Sequence, residues 1–348
     1  MQNLIFNTLR TAIILLTVLN IFSCSNDDDL GNLDDTIFVR HKNADMPAYI
    51  HGNGAEKVFL IILHGGPGDT GLSYRLAPFK NKIEKEYAVV YFDQRGSGMS
   101  QGSYSENGIS VDIMAEDILA LVKVMRRKYG NDSRFFLLGH SWGGTLGTAT
   151  VLKDQHEFLG WISVDGIHNP KGMYQEYIAN FERVATEQIG VGNNISFWES
   201  TINLVNNVTP EYSQNHFFEM NNKAFQAERR LVGDNVINRQ ENDSDIFFNY
   251  NLLTTFWNRR NIISILTNQG LWEQVSYTNQ LSEIEIPSLI LSGKYDMVVP
   301  ATFAQEAYDN LGSNIKELVI FERSGHAPML SESDQFAEEL IKFMDQNK

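Results

Sequence analysis

The sequence predicts an α/β fold, in which a mostly parallel sheet is flanked by helices and carries an inserted helical cap. Continuous apolar runs, typical of strands buried on both faces, alternate with segments of helical periodicity. This alternation stops between residues 168 and 280, where helical periodicity continues without strands, and then resumes towards the end of the chain. Strands that alternate with helices favour a parallel sheet with right-handed crossovers.

Short apolar runs and helical patterns define the individual elements. An entry hairpin is predicted from strands at 36–40 and 48–52, joined through 43–47. Buried strands are predicted at 58–63, 87–92, 135–138, 159–164, 287–293 and 318–321. Helices are predicted at 111–129, 145–152, 301–311 and 331–347. The core is therefore assigned to residues 36–167 and 281–348, and the cap to residues 168–280.

The two clearest amphipathic helices each have a predicted buried face. The inward residues of the helix at 111–129 are Met114, Ile118, Leu121, Val122 and Met125. Those of the helix at 331–347 are Phe336, Leu340, Phe343 and Met344.

The cap region is rich in asparagine and aromatic residues. We expect most of its aromatic side chains to pack between cap helices and a few to line a pocket, because sites in open α/β sheets form at the carboxyl ends of the strands. The aromatic residues concerned are Trp198, Phe217, Phe218, Phe225, Phe247, Phe248, Phe256, Trp257 and Trp272.

Charge and motif content exclude several classes of function. The formal net charge is −15, and the longest basic cluster is Arg126-Arg127-Lys128, which argues against a nucleic-acid partner. No His-x-His or His-Glu-x-x-His spacing occurs, so a metal site is not indicated. No Gly-x-Gly-x-x-Gly opens a helix, and no cofactor is predicted.

The first 35 residues are predicted to lie outside the fold. Residues 1–23 contain Arg10 followed by an apolar stretch at 11–22, which is typical of a signal peptide and short for a membrane span. Cys24 is the single cysteine of the chain, so no internal disulfide is expected. The acidic residues that follow it predict an unstructured tether over 24–35.

The sequence around this cysteine resembles the lipobox of bacterial lipoproteins, in Ile21-Phe22-Ser23-Cys24. The resemblance implies export and lipid attachment at Cys24, with no other contact to a membrane. The acidic run resembles tags that send some bacterial lipoproteins to the outer cell surface. A plain signal peptide with an incidental cysteine is the alternative.

A candidate nucleophile follows the apolar run at 135–138. The residues Gly139-His140-Ser141-Trp142-Gly143 lie between a predicted strand and a predicted helix, as a nucleophile elbow requires. The turn is so tight that the residues two before and two after the serine must be small. This context predicts that Ser141 is the nucleophile.

A serine nucleophile needs a base within reach and an acid that orients the base. His326 lies in a loop of small residues directly after the last predicted strand, and Asp296 follows the strand before it. The order Ser141, Asp296, His326 is the one expected of an α/β-hydrolase. Asp165, one strand earlier, is an alternative acid, and a loop or capping role is the alternative for His326.

The tetrahedral intermediate also needs two N–H donors for its oxyanion. One is predicted to be the backbone N–H of Trp142, directly after the nucleophile. The second is predicted to be Gly66 in His64-Gly65-Gly66-Pro67-Gly68, because Pro67 has no N–H. His64 is interpreted as structural, and His140 as too constrained by the elbow to act as the base.

These motifs together resemble the prolyl iminopeptidase family of α/β-hydrolases. They are His-Gly-Gly-Pro-Gly, Asp-Gln-Arg-Gly-x-Gly-x-Ser, Gly-x-Ser-Trp-Gly-Gly, Gly-Lys-Tyr-Asp and Gly-His, within 58–148 and 287–328. The resemblance implies removal of an N-terminal proline, or another small residue, from a short peptide through an acyl-enzyme. Esterases and related amidases share the motifs, so the substrate stays open.

The resemblance also implies acidic cap residues that hold the substrate ammonium. Glu199 and Glu228 resemble the places from which the family supplies them. If neither carboxylate points into the pocket, an apolar ester or amide is the expected substrate. A carboxylic ester hydrolase with the same triad and a lipid-tethered, non-catalytic binding protein are therefore the alternative functions.

Overall fold

The structure is a computed structural model that describes residues 30–102, 108–239 and 251–348. The predicted signal peptide at 1–23 and the first half of the predicted tether, which includes Cys24, lie outside the described residues, as do Phe247 and Phe248. Within the described ranges, no helix has both the length and the apolar character needed to span a membrane.

The described strands form one nine-stranded sheet. The spatial order is β1-β2-β4-β3-β6-β7-β8-β9, and the short β5 pairs with β2. Strands β3, β4 and β6 to β9 are mutually parallel, whereas β1 and β2 are antiparallel to their neighbours. The strands are β1 (Leu33–His41), β2 (Ala44–Gly52), β3 (Val58–Leu63), β4 (Ala88–Phe92), β5 (Gln101–Gly102), β6 (Arg134–His140), β7 (Gly160–Val164), β8 (Ser288–Gly293) and β9 (Lys316–Phe321).

Strand β3 shows why its sequence is a continuous apolar run. All six of its residues are buried, and alternate side chains enter two separate hydrophobic clusters on opposite faces of the sheet. Phe59 and Ile61 belong to one cluster, and Leu60 and Ile62 to the other. A strand covered on both faces has no position for a polar side chain.

The entry hairpin differs from its prediction. The chain turns at Lys42 and Asn43, both with positive φ, and the predicted loop at 43–47 is mostly part of β2. Pro47 lies within that strand, where its carbonyl accepts the N–H of Asp93. Strand β1 begins at Leu33, so the last three residues of the predicted tether are paired in the sheet. Asparagine, aspartate and proline are typical of loops, but pairing on both sides of β2 overrides that local preference.

The helices follow the predicted pattern closely. The longer ones are α1 (Val111–Tyr129), α2 (Trp142–Asp154), α3 (Met173–Gly190), α4 (Ile195–Asn207), α5 (Gln214–Gly233), α6 (Leu252–Asn268), α7 (Thr302–Asn310) and α8 (Ser333–Asn347). Shorter helical turns cover Leu30–Asn32, Gly71–Tyr74, Phe79–Ile83, Glu84–Glu86, Gln155–Glu157, Pro170–Gly172, Leu271–Gln274, Thr278–Glu283 and Pro328–Ser331. The predicted inward residues of α1 and α8 are all buried.

Helices α3 to α6 form the inserted region between β7 and β8, and the described residues of that region contain no strand. Its aromatic residues divide into two groups. Trp198, Phe217 and Trp272 are buried, as expected for core between helices. Phe225, Phe256 and Trp257 are exposed. Phe225 lines the cavity described below, as expected for a few of these residues, whereas the prediction is wrong for Phe256 and Trp257, which are neither buried nor part of that cavity.

A buried ion pair fixes the loop that follows β4. The Arg95 guanidinium is fully buried and donates two hydrogen bonds to the Asp117 carboxylate on α1. It also donates to the carbonyl groups of His41 and Lys42 in the entry hairpin. One arginine therefore joins the hairpin, the loop after β4 and α1.

Removing one partner of this pair should destabilise the protein strongly. Asp117→Asn leaves the Arg95 charge buried without its counter-ion, and we expect a loss of about 3–5 kcal/mol in the free energy of unfolding. Asp112→Asn is the matched control on the same helix, because Asp112 is exposed and pairs with Lys153 at the surface. The control should lose less than about 1 kcal/mol. Urea unfolding measures both, and equal losses would contradict the prediction.

Candidate active site

Ser141 occupies a strained turn between β6 and α2. Its backbone angles are φ 56° and ψ −122°, which a non-glycine residue rarely adopts. The Ser141 N–H donates to the carbonyl of Val164, and its carbonyl accepts the N–H groups of Gly144 and Ile167. These bonds hold the strained turn in place, so the strand–turn–helix context predicted for the nucleophile is present.

The glycines on either side of Ser141 are required by close backbone contacts. A Cβ atom on Gly139 would lie 2.2 Å from the carbonyl oxygen of Gly143. A Cβ atom on Gly143 would lie 2.1 Å from the carbonyl oxygen of Leu63 at the end of β3. Any larger residue at either position would separate the strand, the turn and the helix.

The predicted acid and base are joined by a hydrogen bond. His326, in the loop after β9, lies with Nδ1 2.8 Å from Oδ2 of Asp296, which follows β8. The other oxygen of Asp296 accepts the N–H groups of Val298 and Val299, each at 2.7 Å. The carboxylate is therefore fixed by three donors, and His326 Nε2 remains on the opposite edge of the ring.

Ser141 and His326 line the same cavity. No hydrogen bond joins the Ser141 hydroxyl to the His326 ring among the described residues. Such bonds are often long in the absence of substrate and shorten when substrate binds. The structure thus places the predicted nucleophile and base at one cavity, with Asp296 directly behind the base.

Asp165, the alternative acid, does not bond the histidine. Its Oδ1 accepts the N–H of Gly293 at 2.9 Å, and its Oδ2 makes no hydrogen bond with the described residues. Burial raises the pKa of Asp165 well above its ordinary value, and the nearby Asp296 raises it further. A neutral carboxyl group beside Asp296 is the state that these surroundings favour.

The surroundings of the His326–Asp296 pair shift both pKa values. Burial raises the pKa of Asp296 to about 7, although the N–H groups of Val299 and Val298 act in the opposite direction. Burial also lowers the pKa of His326. Neutral imidazole is the form that accepts a proton, so a lowered pKa keeps His326 available as a base near neutral pH.

A chain of hydrogen bonds joins the glycine-rich loop, the elbow and the histidine loop. The Gly65 N–H donates to Tyr74 Oη at 2.8 Å, and the Tyr74 hydroxyl donates to His140 Nδ1 at 2.6 Å. His140 Nε2 donates in turn to the carbonyl of His326 at 2.8 Å. Both ring nitrogens of His140 are thus occupied, and burial lowers its pKa to about 3, so it stays neutral.

Of the two predicted oxyanion donors, Gly66 lines the cavity and Trp142 does not. The N–H of Gly65, which precedes Gly66, is already bound to Tyr74. Trp142 is the first residue of α2, where a backbone N–H has no carbonyl partner within the helix. Its indole Nε1 donates to Gln94 Oε1 at 2.9 Å.

His64 has the structural role that its sequence context indicated. It is fully buried, with Nδ1 bonded to the carbonyl of Gly65 and Nε2 accepting the N–H of Gln94. The Gln94 side chain donates back to the His64 carbonyl. The Gln94 side chain therefore connects the glycine-rich loop to the indole of Trp142.

One cluster has the residue types of a metal site. Ligand-type atoms of His140, Asp165 and His326 lie within 4.8 Å of one another. The ring of His140 already makes two hydrogen bonds, and Nδ1 of His326 is bound to Asp296. A metal ion at this place would have to displace the interactions that hold the base.

The structure corrects the two predicted substrate carboxylates. Glu199 is exposed on α4 and does not line the cavity, because its helix turns Trp198 inward instead. Glu228 is buried on α5, but its Oε1 accepts the backbone N–H groups of Met297 and His326, each at 3.0 Å. Glu228 therefore holds the acid and base loops from behind and is not part of the cavity wall.

The cavity contains residues that sequence reasoning missed. Its volume is about 280 Å³, and its wall is largely apolar and aromatic. Tyr74, Asp69 and Arg259 also line it, and none of them belongs to a motif that marks a site. Asp69 directly follows the glycine-rich loop, and this position was the one sequence feature that could have indicated its place in the cavity wall. The apolar and aromatic wall includes Ile167, Met173, Tyr177, Phe217, Phe218, Phe225, Ile263, Trp272 and Val298.

Comparison with known proteins identifies this fold. Residues 58–189 match a family model described as the alpha/beta hydrolase fold. A proline iminopeptidase-related protein from Thermus thermophilus superposes with a TM-score of 0.61 at 19% identity, over 90% of this chain and 98% of that one. An esterase from Thermogutta terrifontis superposes with a TM-score of 0.56 at 17% identity, over 90% of this chain and 98% of that one. The chain has the α/β-hydrolase fold.

The sequence relatives indicate which of the α/β-hydrolases the chain resembles. The chain is 29% identical to a proline iminopeptidase of Saccharolobus solfataricus, over 82% of this chain and 84% of the relative. It is 23% identical to the probable aminopeptidase YbaC of Bacillus subtilis, over 86% of this chain and 93% of the relative. The chain thus resembles the prolyl iminopeptidases among the α/β-hydrolases, and the comparisons support a hydrolase.

Neutralising Glu228 should change how stability depends on pH. Burial raises the pKa of Glu228 from 4.5 to about 8, so the folded protein holds a proton that the unfolded chain releases. The stability that this proton contributes is present below pH 4.5 and is lost as the pH rises to about 8. In Glu228→Gln the amide oxygen can still accept both N–H groups, and the variant should gain stability relative to wild type across that window, by at most about 1.4 kcal/mol per pH unit.

Unfolding by urea at pH 5, 6, 7 and 8 measures the effect. Glu199→Gln is the control, because Glu199 is exposed on the same cap and should give parallel curves with wild type. A Glu228→Gln curve that also runs parallel to wild type would contradict the prediction.

Proposed function

We propose that the protein is a serine hydrolase that acts through an acyl-enzyme, and that it is an aminopeptidase for short peptides with N-terminal proline or another small residue. The observation that carries the proposal is the 2.8 Å bond between His326 and Asp296 at a cavity that Ser141 also lines. The names of the sequence relatives support the aminopeptidase assignment.

Each proposed catalytic group has a defined role. Ser141 Oγ attacks the substrate carbonyl while His326 Nε2 accepts its proton, and Asp296 stabilises the imidazolium that forms. The backbone N–H groups of Gly66 and Trp142 bind the oxyanion. His326 then donates the proton to the leaving amine, and water hydrolyses the acyl-enzyme with the same histidine as base.

Because the two predicted cap carboxylates do not line the cavity, Asp69 is the residue that supports an aminopeptidase. A substrate ammonium removed from water needs a carboxylate beside it. Asp69 is the carboxylate among the described residues that line the cavity, and one of its oxygens accepts the N–H of Thr70 at 3.0 Å. Its other oxygen makes no hydrogen bond within the described part of the chain, which leaves it free for the ammonium.

A carboxylic ester hydrolase is the second candidate. It is favoured by the largely apolar wall of the cavity and by the places of Glu199 and Glu228, neither of which contacts the cavity. An ester with an apolar acyl group needs no carboxylate in the site, so the two candidates differ in how much activity depends on Asp69.

The first experiment measures hydrolysis of proline p-nitroanilide, alanine p-nitroanilide and p-nitrophenyl butyrate by the purified protein. Ser141→Ala should lower kcat by at least about 10⁴-fold on every substrate that the wild type cleaves, because the nucleophile is lost. Release of p-nitroaniline from the proline substrate supports the aminopeptidase. Cleavage of the butyrate alone would replace it with the esterase, and turnover unaffected by the mutation would reject the serine mechanism.

Asp69→Asn separates recognition of the ammonium from the chemical step. We expect kcat/KM for proline p-nitroanilide to fall roughly 10- to 100-fold, because a charged hydrogen bond is lost, with much of the effect in KM. The butyrate, which has no ammonium, should be cleaved at nearly the wild-type rate. Equal losses on both substrates would indicate that Asp69 shapes the loop and does not bind the ammonium.

A further inference from the structure

Arg259 is a charged residue in the wall of the active-site cavity that neither the predicted triad nor the oxyanion donors require. It lies on α6 and lines the same cavity as Ser141 and His326. No hydrogen bond or ion pair forms to its guanidinium among the described residues. The five N–H donors of this side chain are therefore unused by the described residues, on a chain whose overall charge is −15.

The position of Arg259 is fixed by backbone packing. Gly68, with φ +96°, lies so close to α6 that a Cβ atom there would be 2.6 Å from the Cα of Arg259. One residue earlier, Asn258 donates from Nδ2 to the carbonyls of Gly98 and Ser100. Helix α6 is thus attached to two loops at the edge of the site, and its Cα at 259 lies directly against the glycine-rich loop.

The next residue on the helix provides an internal comparison. Arg260 is also exposed and carries the same charge, but it does not line the cavity. The helix therefore presents one of two adjacent arginines to the site. A guanidinium binds a carboxylate through two parallel hydrogen bonds, which makes it the side chain best suited to that group.

We propose that Arg259 binds the free α-carboxylate of the substrate, so that the enzyme acts on very short peptides, with dipeptides as the preferred class. This inference rests on the proposed aminopeptidase function and adds the leaving-group end of the substrate to it. A dipeptide at neutral pH carries one ammonium and one carboxylate. The cavity wall offers Asp69 and Arg259, which form no ion pair with each other, and its volume of about 280 Å³ suits a small ligand.

The experiment compares Pro-Gly with Pro-Gly amide, which differ only in the terminal carboxylate. The ratio of kcat/KM for the acid to that for the amide should exceed one in the wild type. In Arg259→Gln this ratio should fall by about 10- to 100-fold, mainly through KM of the acid. Arg259→Lys should give an intermediate ratio, because it keeps the charge and loses the planar fork. Arg260→Gln is the matched control and should keep the wild-type ratio.

Each other outcome overturns the inference in a distinguishable way. An equal ratio in wild type and Arg259→Gln would show that Arg259 does not recognise the carboxylate, while proline release would leave the aminopeptidase intact. The same change in Arg260→Gln as in Arg259→Gln would show a general effect of surface charge. Absence of proline release from both peptides and from proline p-nitroanilide, with Ser141-dependent cleavage of p-nitrophenyl butyrate, would reject the aminopeptidase itself and this inference with it.

Discussion

The strained backbone of Ser141 is the constraint on which the rest of the core depends. A serine at φ 56° persists only where its surroundings hold it there. Those surroundings are backbone groups of β3, β6, β7 and α2, which approach so closely that Gly139 and Gly143 have no room for a Cβ atom. The parallel sheet brings these segments to one edge, because the carboxyl ends of its strands lie side by side. The position of the serine is therefore a property of the whole sheet.

At the same edge of the sheet, hydrogen bonds between residues of different motifs connect the loops to one another. Tyr74 and His140 connect the Gly65 N–H to the carbonyl of His326, so the loops after β3, β6 and β9 share one chain of hydrogen bonds. Because the pKa of His140 is held at about 3 by burial, the chain keeps one pattern of donors and acceptors over the whole range in which a base such as His326 works. A charged His140 would lose its acceptor atom and break the bond to Tyr74.

Sequence reasoning succeeded where one local pattern determined the structure. The run at 58–63 could only be a strand buried on both faces, and its bounds are confirmed to the residue. The order of Ser141, Asp296 and His326 along the chain predicted that they lie at one edge of the sheet, since each follows a parallel strand, and in the structure Ser141 and His326 line one cavity while Asp296 is bonded to His326. Sequence reasoning failed where the position of a residue depends on how one element packs against another. The places of Glu199 and Glu228 depend on how α4 and α5 pack, which periodicity alone does not give. The position of Arg259 at the cavity wall depends on the contact between α6 and the loop at Gly68, and these two parts of the chain are far apart in sequence.

The cap contributes to the site in two physically different ways. On one side, Glu228 of α5 and Asn180 of α3 make buried hydrogen bonds to the backbone of the acid and base loops. Buried bonds of this kind are costly to break, so these helices are structural parts of the His326–Asp296 pair. On the other side, α6 buries Ile262 and Leu266 in the core and has Arg259 at the wall of the cavity. A change at the exposed Arg259 can therefore alter the cavity wall without removing a hydrogen bond to the His326–Asp296 pair.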